Sequence, residues 1–271
     1  MPAIIKEDID RLFQLGIYLP TRTIYLGGIR DDDSVDEAWS DAAEEPGIYW
    51  NTARRILLGL HILDSNAQNG RKPITIIMNS CGGDYSHGMA IFDAIKHAKN
   101  HITIINMSHA RSMTSLIFQA GDLRITAPSG HYMIHDGDMA EAGTPNTVKN
   151  WVEYEHKICL PKMYQVYLDR LHEEEDEEPK VDIEVAAEII NAKLPKGATK
   201  INVKRGIKGI RLAHIEQLCS RDTIFTAEEM VKLNFADRIL DTNDLVGAYA
   251  NPKMHDLPTG FESMHDEEDD D

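Results

Sequence analysis

Cysteine is scarce: Cys81, Cys159 and Cys219 are the only three in a chain of 271 residues. An odd count without a Cys-x-x-Cys pair argues against a disulfide framework and offers no zinc-type spacing. His97, His101 and His109 are loosely spaced, and no His-Glu-x-x-His occurs, so no metal centre is expected. No apolar run approaches the ~18 residues of a membrane span. The opening MPAIIKEDIDRLFQLG has no apolar stretch behind a positive flank, so a secretory signal is not suggested. These absences lead us to expect a soluble, cytoplasmic protein. Basic residues are also few, 28 against 45 acids for a net charge of −17. Nucleic acid is therefore not an expected partner, because a basic footprint is missing overall.

The acidity is concentrated. Residues 31–45 carry eight acids, 173–178 six and 266–271 six, with no base in any of the three. The remainder holds 28 bases and 25 acids, close to neutral. By contrast, the stretch from Lys193 to Arg211 carries seven bases and no acid. On its own it reads as a solvated hairpin, with an anionic partner as the sharper alternative. Hydrophobic content of 42% suits a chain that buries a sizeable core.

Periodicity supplies the architecture. Residues 22–28 read as a short strand, and 29–50 as an acidic loop. From Asn51 to Asp64, apolar residues recur at helical spacing. Residues 74–78, ITIIM, form a short apolar run of the buried-strand kind, broken at Asn79–Gly83. A helix is predicted over 86–98, a second buried strand over 102–107, a tight break at Ser108–Arg111, and a helix over 112–120. Two strands follow at 123–127 and 131–135, joined by the Pro128–Ser129–Gly130 turn. Helices are expected over 145–172 and 182–192, near 213–219 and near 226–233, and a last strand over 235–240. Residues 242–271 lack periodicity and read as a disordered acidic tail. Alternating strands and helices indicate an α/β fold.

Two turns stand where a buried strand gives way to a helix, a place that presents free backbone N–H groups. The first holds Gly82–Gly83. The second holds Ser112, and the N–H groups of Gly83 and Met113 could together form an oxyanion hole. Read from pattern alone, each candidate also has a plainer explanation. Ser112 could be a helix N-cap, and no Gly-x-Ser-x-Gly surrounds it. His135 is one of twelve histidines, and Asp222 is one of 45 acids that could equally be a cap or turn residue. Cys81 could be a nucleophile, yet in a glycine turn a small residue is sufficient reason for it.

Four segments in order resemble the proteolytic subunit of the Clp protease, a self-compartmentalised serine peptidase family. They are NSCGGDYSHGMAIFDAI (79–95), ARSMTSLIFQAGD (110–122), APSGHYMIH (127–135) and SRDTIFTAEEMVKLNFADRIL (220–240). The resemblance covers roughly residues 10–30, 50–172 and 212–241. It implies Ser112 as nucleophile, His135 as general base, Asp222 as the acid that orients the histidine, and Gly83 and Met113 as oxyanion-hole donors. It also implies a Clp protease/crotonase-like fold of stacked β-β-α units with a protruding helical handle near 137–172.

On this view residues 1–241 form one peptidase domain with insertions at 29–50 and 173–211, and 242–271 is a tail. The resemblance further implies unfolded polypeptide substrates, heptameric rings in a face-to-face double ring (a tetradecamer), and an ATP-driven AAA+ unfoldase as partner. The chain itself would need no cofactor, ATP being used only by that partner. Arg221 matches a position that helps join the rings. A peptide would add as a strand beside the turn at Gly83. Cys81 stands where the family has proline, and Asp136–Gly137 where it has Gln–Pro. Three alternatives share parts of this pattern. A related shell-maturation or signal-peptide-type peptidase would use a Ser–Lys dyad, and no lysine occupies a matched position. A catalytically weak structural or regulatory ring subunit would lack a triad member. A crotonase-type acyl-CoA enzyme would have no need of serine, histidine and aspartate at these places.

Overall fold

A computed structural model describes residues 6, 12, 14–27, 47–65, 72–172 and 181–241. Most of the acidic loop expected at 29–50, the acidic run at 173–178 and the tail at 242–271 lie outside the described residues.

The first layer is built on two strands of almost unbroken apolar sequence. Strand β3 (Ile74–Ser80) and the first half of β4 (Ile102–Arg111) are buried along their ITIIM and ITIIN runs. Both faces of such strands must be covered, which is why they read as continuous rather than alternating. The short hairpin β1 (Ile17–Tyr18) and β2 (Thr23–Leu26) joins one side, with β2 parallel to β3. Strand β3 pairs parallel with β4, and β4 with β5 (Leu123–Thr126), which in turn pairs with β8 (Arg238–Ile239). Helix α1 (Trp50–Ser65) buries Ala53, Ile56, Leu60 and Leu63 at the predicted helical spacing. Helix α2 (Tyr85–Lys96) starts at Asp84, whose carboxylate accepts the His87 N–H at 2.8 Å.

Two expectations fail here, and both failures matter for the site. Residues 108–111 are not a break: β4 runs on to Arg111, and its far end pairs with β6 (His131–Ile134) through His109↔His131 and Arg111↔Met133. The polar residues Ser108 and His109 belong to a half-exposed strand end, not to a turn. Residues 223–226, TIFT, are likewise a strand, β7 (Thr223–Thr226), antiparallel to β6. The sequence alone shows helices near 213–219 and 226–233 and passes over this strand. In fact α8 (Ala227–Lys232) begins after an N-cap at Thr226, with a reciprocal bond to Glu229.

The handle departs from the body in its first half. Helix α4 (Pro145–Tyr154) buries none of its residues. A π turn at Glu155–Cys159 leads into α5 (Leu160–Leu171), which buries Leu160, Met163, Tyr164, Tyr167, Leu168 and Leu171. Pro161 lies just past this turn and cannot donate to the carbonyl four residues back, so regular α-helical bonding is interrupted there.

The stretch 193–211 is not a solvated hairpin. It continues from α6 (Ile183–Lys193), passes a 3-10 segment at Val203–Gly209, and enters α7 (Leu212–Cys219). Ile201 and Ile210 are buried, and together with Ala186, Ala187 and Ile190 of α6 they join the main core. Single apolar anchors set among surface lysines tie this basic stretch to the body.

Two buried histidines make stability pH-dependent. Burial holds the pKa of both His101 and His214 below the ordinary histidine value, with Asp122 opposing at His101 and Arg211 reinforcing at His214. The Nδ1 of His214 accepts the Arg211 N–H at 2.9 Å, so protonation there removes an acceptor. Because the folded values are depressed, the unfolded chain takes up these protons first. Their contribution is present above the unfolded value of about 6.5 and is lost as pH falls towards the folded values. The expected result is that Tm falls more between pH 7.5 and 5.5 in the wild type than in His214→Asn, whose Oδ1 can accept the same N–H but does not titrate. Parallel pH profiles for the two chains would count against this.

Candidate active site

Strand register brings the candidate residues together. In the β6–β7 pair Ile134 faces Thr223, so the next residues outward, His135 and Asp222, leave their strands side by side. In the β4–β6 pair Arg111 faces Met133, and the Ser112 N–H donates to Met133 O at 2.9 Å. Three residues far apart in sequence thus leave three adjacent strand ends. His135 Nε2 lies 2.7 Å from Ser112 Oγ, and His135 Nδ1 lies 3.1 Å from Asp222 Oδ1. A neutral imidazole that donates Nδ1–H to Asp222 presents Nε2 as acceptor to the serine hydroxyl.

Ser112 occupies the N-cap position of α3 (Met113–Phe118), as its plainer reading has it, but the hydroxyl caps nothing. Its backbone sits at φ 52°, ψ −128°, a conformation that costs a non-glycine residue roughly 1–3 kcal/mol. Surrounding bonds hold it there. The Ser112 carbonyl accepts both the N–H and the hydroxyl of Ser115, at 2.9 and 2.6 Å. The Ser115 hydroxyl also meets the Tyr167 hydroxyl at 2.7 Å, tying the turn to the handle helix α5. Ser115 is three residues on and could have been noticed from sequence, whereas Tyr167 is joined only by tertiary folding. A strained strand-to-helix turn of this kind aims a serine outward from the sheet.

Both glycines of the first turn are required, for different reasons. At Gly82 (φ +104°) a Cβ would lie 2.6 Å from Ser112 Cβ and 2.7 Å from Arg111 O. At Gly83 (φ +149°) it would lie 2.5 Å from the backbone of Ile48. Ile48 donates its N–H to Gly82 O at 2.7 Å and accepts the Asp84 N–H at 2.8 Å. Sequence reasoning missed this buried residue, placing it inside an acidic loop. Since a trans peptide sets its N–H opposite its C=O, the Gly83 N–H is directed away from Ile48. Met113 is the first residue of α3, so its N–H has no acceptor within the helix.

The segment after His135 is also tied down. The Asp136 N–H donates to Cys219 O at 2.7 Å, and the Asp136 carboxylate accepts the Tyr164 hydroxyl at 2.7 Å. Cys159 and Cys219 are buried, which pushes the first thiol up to about 11 and the second well above its usual value, so neither is a thiolate. Among the described residues no group of three or more His, Cys, Asp or Glu side chains is placed to hold a metal ion. No helix among them is long and apolar enough to cross a membrane.

The Clp protease family model matches residues 43–177, which takes in both turns, Ser112 and His135. Residues 43–177 thus carry a Clp protease domain. The chain is 34% identical over 94 residues to the ATP-dependent Clp protease proteolytic subunit of Chlorella vulgaris, covering 34% of this chain and 46% of the relative. It is 32% identical over 127 residues to the subunit of the same name in Deinococcus radiodurans, covering 46% and 58%. Against ATP-dependent Clp protease proteolytic subunit 1 of Streptomyces coelicolor it is 30% identical over 133 residues, covering 48% and 51%. The chain thus spans about half the length of the curated relatives it matches. The family match ends before α6, α7 and the loop that carries Asp222.

Proposed function

We propose that the protein is a serine endopeptidase that cleaves unfolded polypeptides. The observation that carries this reading is the continuous chain Ser112 Oγ–His135 Nε2 (2.7 Å) and His135 Nδ1–Asp222 (3.1 Å), mounted on a strained turn. His135 takes the proton of Ser112 as Oγ attacks the scissile carbonyl carbon. The carbonyl oxygen gains the negative charge and is met by the N–H groups of Gly83 and Met113, where one donor is typically worth ~2.7–4 kcal/mol. The C–N bond then breaks as His135 protonates the leaving amine. Water, deprotonated by the same imidazole, releases the acyl group and returns the proton to Ser112.

Substrate pairing is narrower than the sequence suggests. Gly82 O and the Asp84 N–H are engaged by Ile48, so these two groups of the turn are not open to a substrate strand. Short main-chain recognition of this kind favours broad cleavage, with selectivity set by access. The handle exposes Trp151, Val152, Tyr154 and Ile158, apolar surface of the sort that self-association covers. This supports self-association, and the family resemblance leads us to read the assembly as facing heptameric rings that enclose the sites, fed by an ATP-driven unfoldase.

The test is labelling with a fluorophosphonate, followed by peptide mapping. The expected adduct is on Ser112, and it should be missing from Ser112→Ala. An unlabelled wild type, or label that persists in the variant, would overturn the reading.

A further inference from the structure

The Asp222 side chain is 68% exposed, so its bond to His135 is a surface contact that does little to hold either partner in place. Something else must fix the loop that carries it. The residues on both sides of Asp222 converge on one residue outside the family match, Lys193 at the end of α6, one through its carbonyl and the other through its side chain. On one side, the Arg221 guanidinium donates to the Lys193 carbonyl at 2.7 Å. That carbonyl belongs to the last turn of α6, where the helix supplies no N–H and its dipole favours a cation. On the other side, Lys193 Nζ donates to Ile224 O at 2.8 Å. Among the described residues β7 pairs with β6 alone, and this lysine covers its outer edge. Nζ also pairs with Glu229 at 2.9 Å and lies 5.2 Å from the Phe225 ring centroid.

We propose that Lys193 is a positioning residue that clamps the Asp222 loop from both flanks and so keeps the carboxylate in register with His135. The inference rests on the triad reading above and deepens it. The second insertion, whose acidic beginning and basic end look like a solvated excursion, is on this view part of the catalytic scaffold.

The experiment is a double-mutant cycle on the full chain, read as kcat and KM for a short fluorogenic peptide. Lys193→Met retains the stem over Phe225 and removes the donors and the charge. It is expected to lower kcat roughly ten- to a hundredfold with KM little changed, as small displacements of a catalytic group do. In an Asp222→Ala background the same substitution should cost nothing further. Lys193→Arg, which can still reach Ile224 O and Glu229, should recover most of the loss. If K193M does not fold, Glu229→Gln retains the N-cap bond to Thr226 while removing the ion pair, and it should show a smaller loss with the same non-additivity. An unchanged kcat in K193M, or an equal loss with and without Asp222, overturns the clamp. An Asp222→Ala variant of full activity overturns the triad reading and the clamp with it, so the two failures are told apart by that single variant.

Discussion

Ser112→Ala is expected to lower kcat for a short fluorogenic peptide by roughly 10⁶-fold, the scale seen when a serine hydrolase loses its nucleophile. Residual turnover above the uncatalysed rate would come from the Gly83 and Met113 donors and from binding. The fold should persist, because the Ser112 hydroxyl caps no helix and its backbone bonds to Met133 and Ser115 need no side-chain oxygen. Removing Oγ also leaves no buried polar atom stranded, since His135 and Asp222 both reach solvent. The variant should therefore show the wild-type Tm within about a degree and the wild-type assembly mass. Asp222→Asn is expected to cost about 10⁴-fold by favouring the wrong tautomer of His135. Wild-type peptide turnover by Ser112→Ala would remove the nucleophile from this account altogether.

Asp237→Ala is expected to be the most destabilising of these substitutions, by about 3–5 kcal/mol, because it leaves a buried guanidinium without its counter-charge. Arg124 is 3% exposed and donates to both Asp237 oxygens, at 2.6 and 3.1 Å. The same carboxylate accepts the Arg124 backbone N–H at 2.6 Å. The rest of the guanidinium bonds to Gln119 Oε1 at 2.8 Å and to both oxygens of Asn234. Arg170 donates to the Gln119 carbonyl close by, and burial together with Arg124 lowers its pKa to about 10. Asp237 is thus the counter-charge for two crowded cations. Gln119 carries the network on to the Tyr132 hydroxyl, which in turn donates to Ser115 O beneath the Ser112 turn. Thermal unfolding should show Tm lowered by roughly 6–20 °C, at roughly 2–4 °C per kcal/mol in a chain of this size. Asp237→Asn, which retains acceptors and loses the charge, should fall between. A loss below about 1 kcal/mol for Asp237→Ala would mean that water takes the carboxylate's place.

How far these features could be read in advance depended on the range of the interaction that makes them. The ITIIM and ITIIN strands and the periodic face of α1 were legible because burial of a strand or helix face repeats within a few residues. The far end of β4 and the whole of β7 were not. The TIFT segment consists of strand-favouring residues, but four of them running into a good N-cap read as the approach to a helix until β6 lies beside them. Similarly, Ile201 and Ile210 are isolated apolar residues in a basic stretch, and only the packing of α6 against the core gives them something to bury against.

For the site, local chemistry could nominate a serine at a strand–helix turn and a glycine pair nearby, but no pattern in the chain could choose Asp222 among 45 acids. The resemblance chose it, and the pairing of Ile134 with Thr223 is what sets it beside His135. Because strand side chains alternate, a slip of one residue in that pairing would turn every side chain of β7 to the opposite face. Elements follow from neighbours along the chain, whereas the meeting of residues 112, 135 and 222 follows from register between strands, which no stretch of sequence contains.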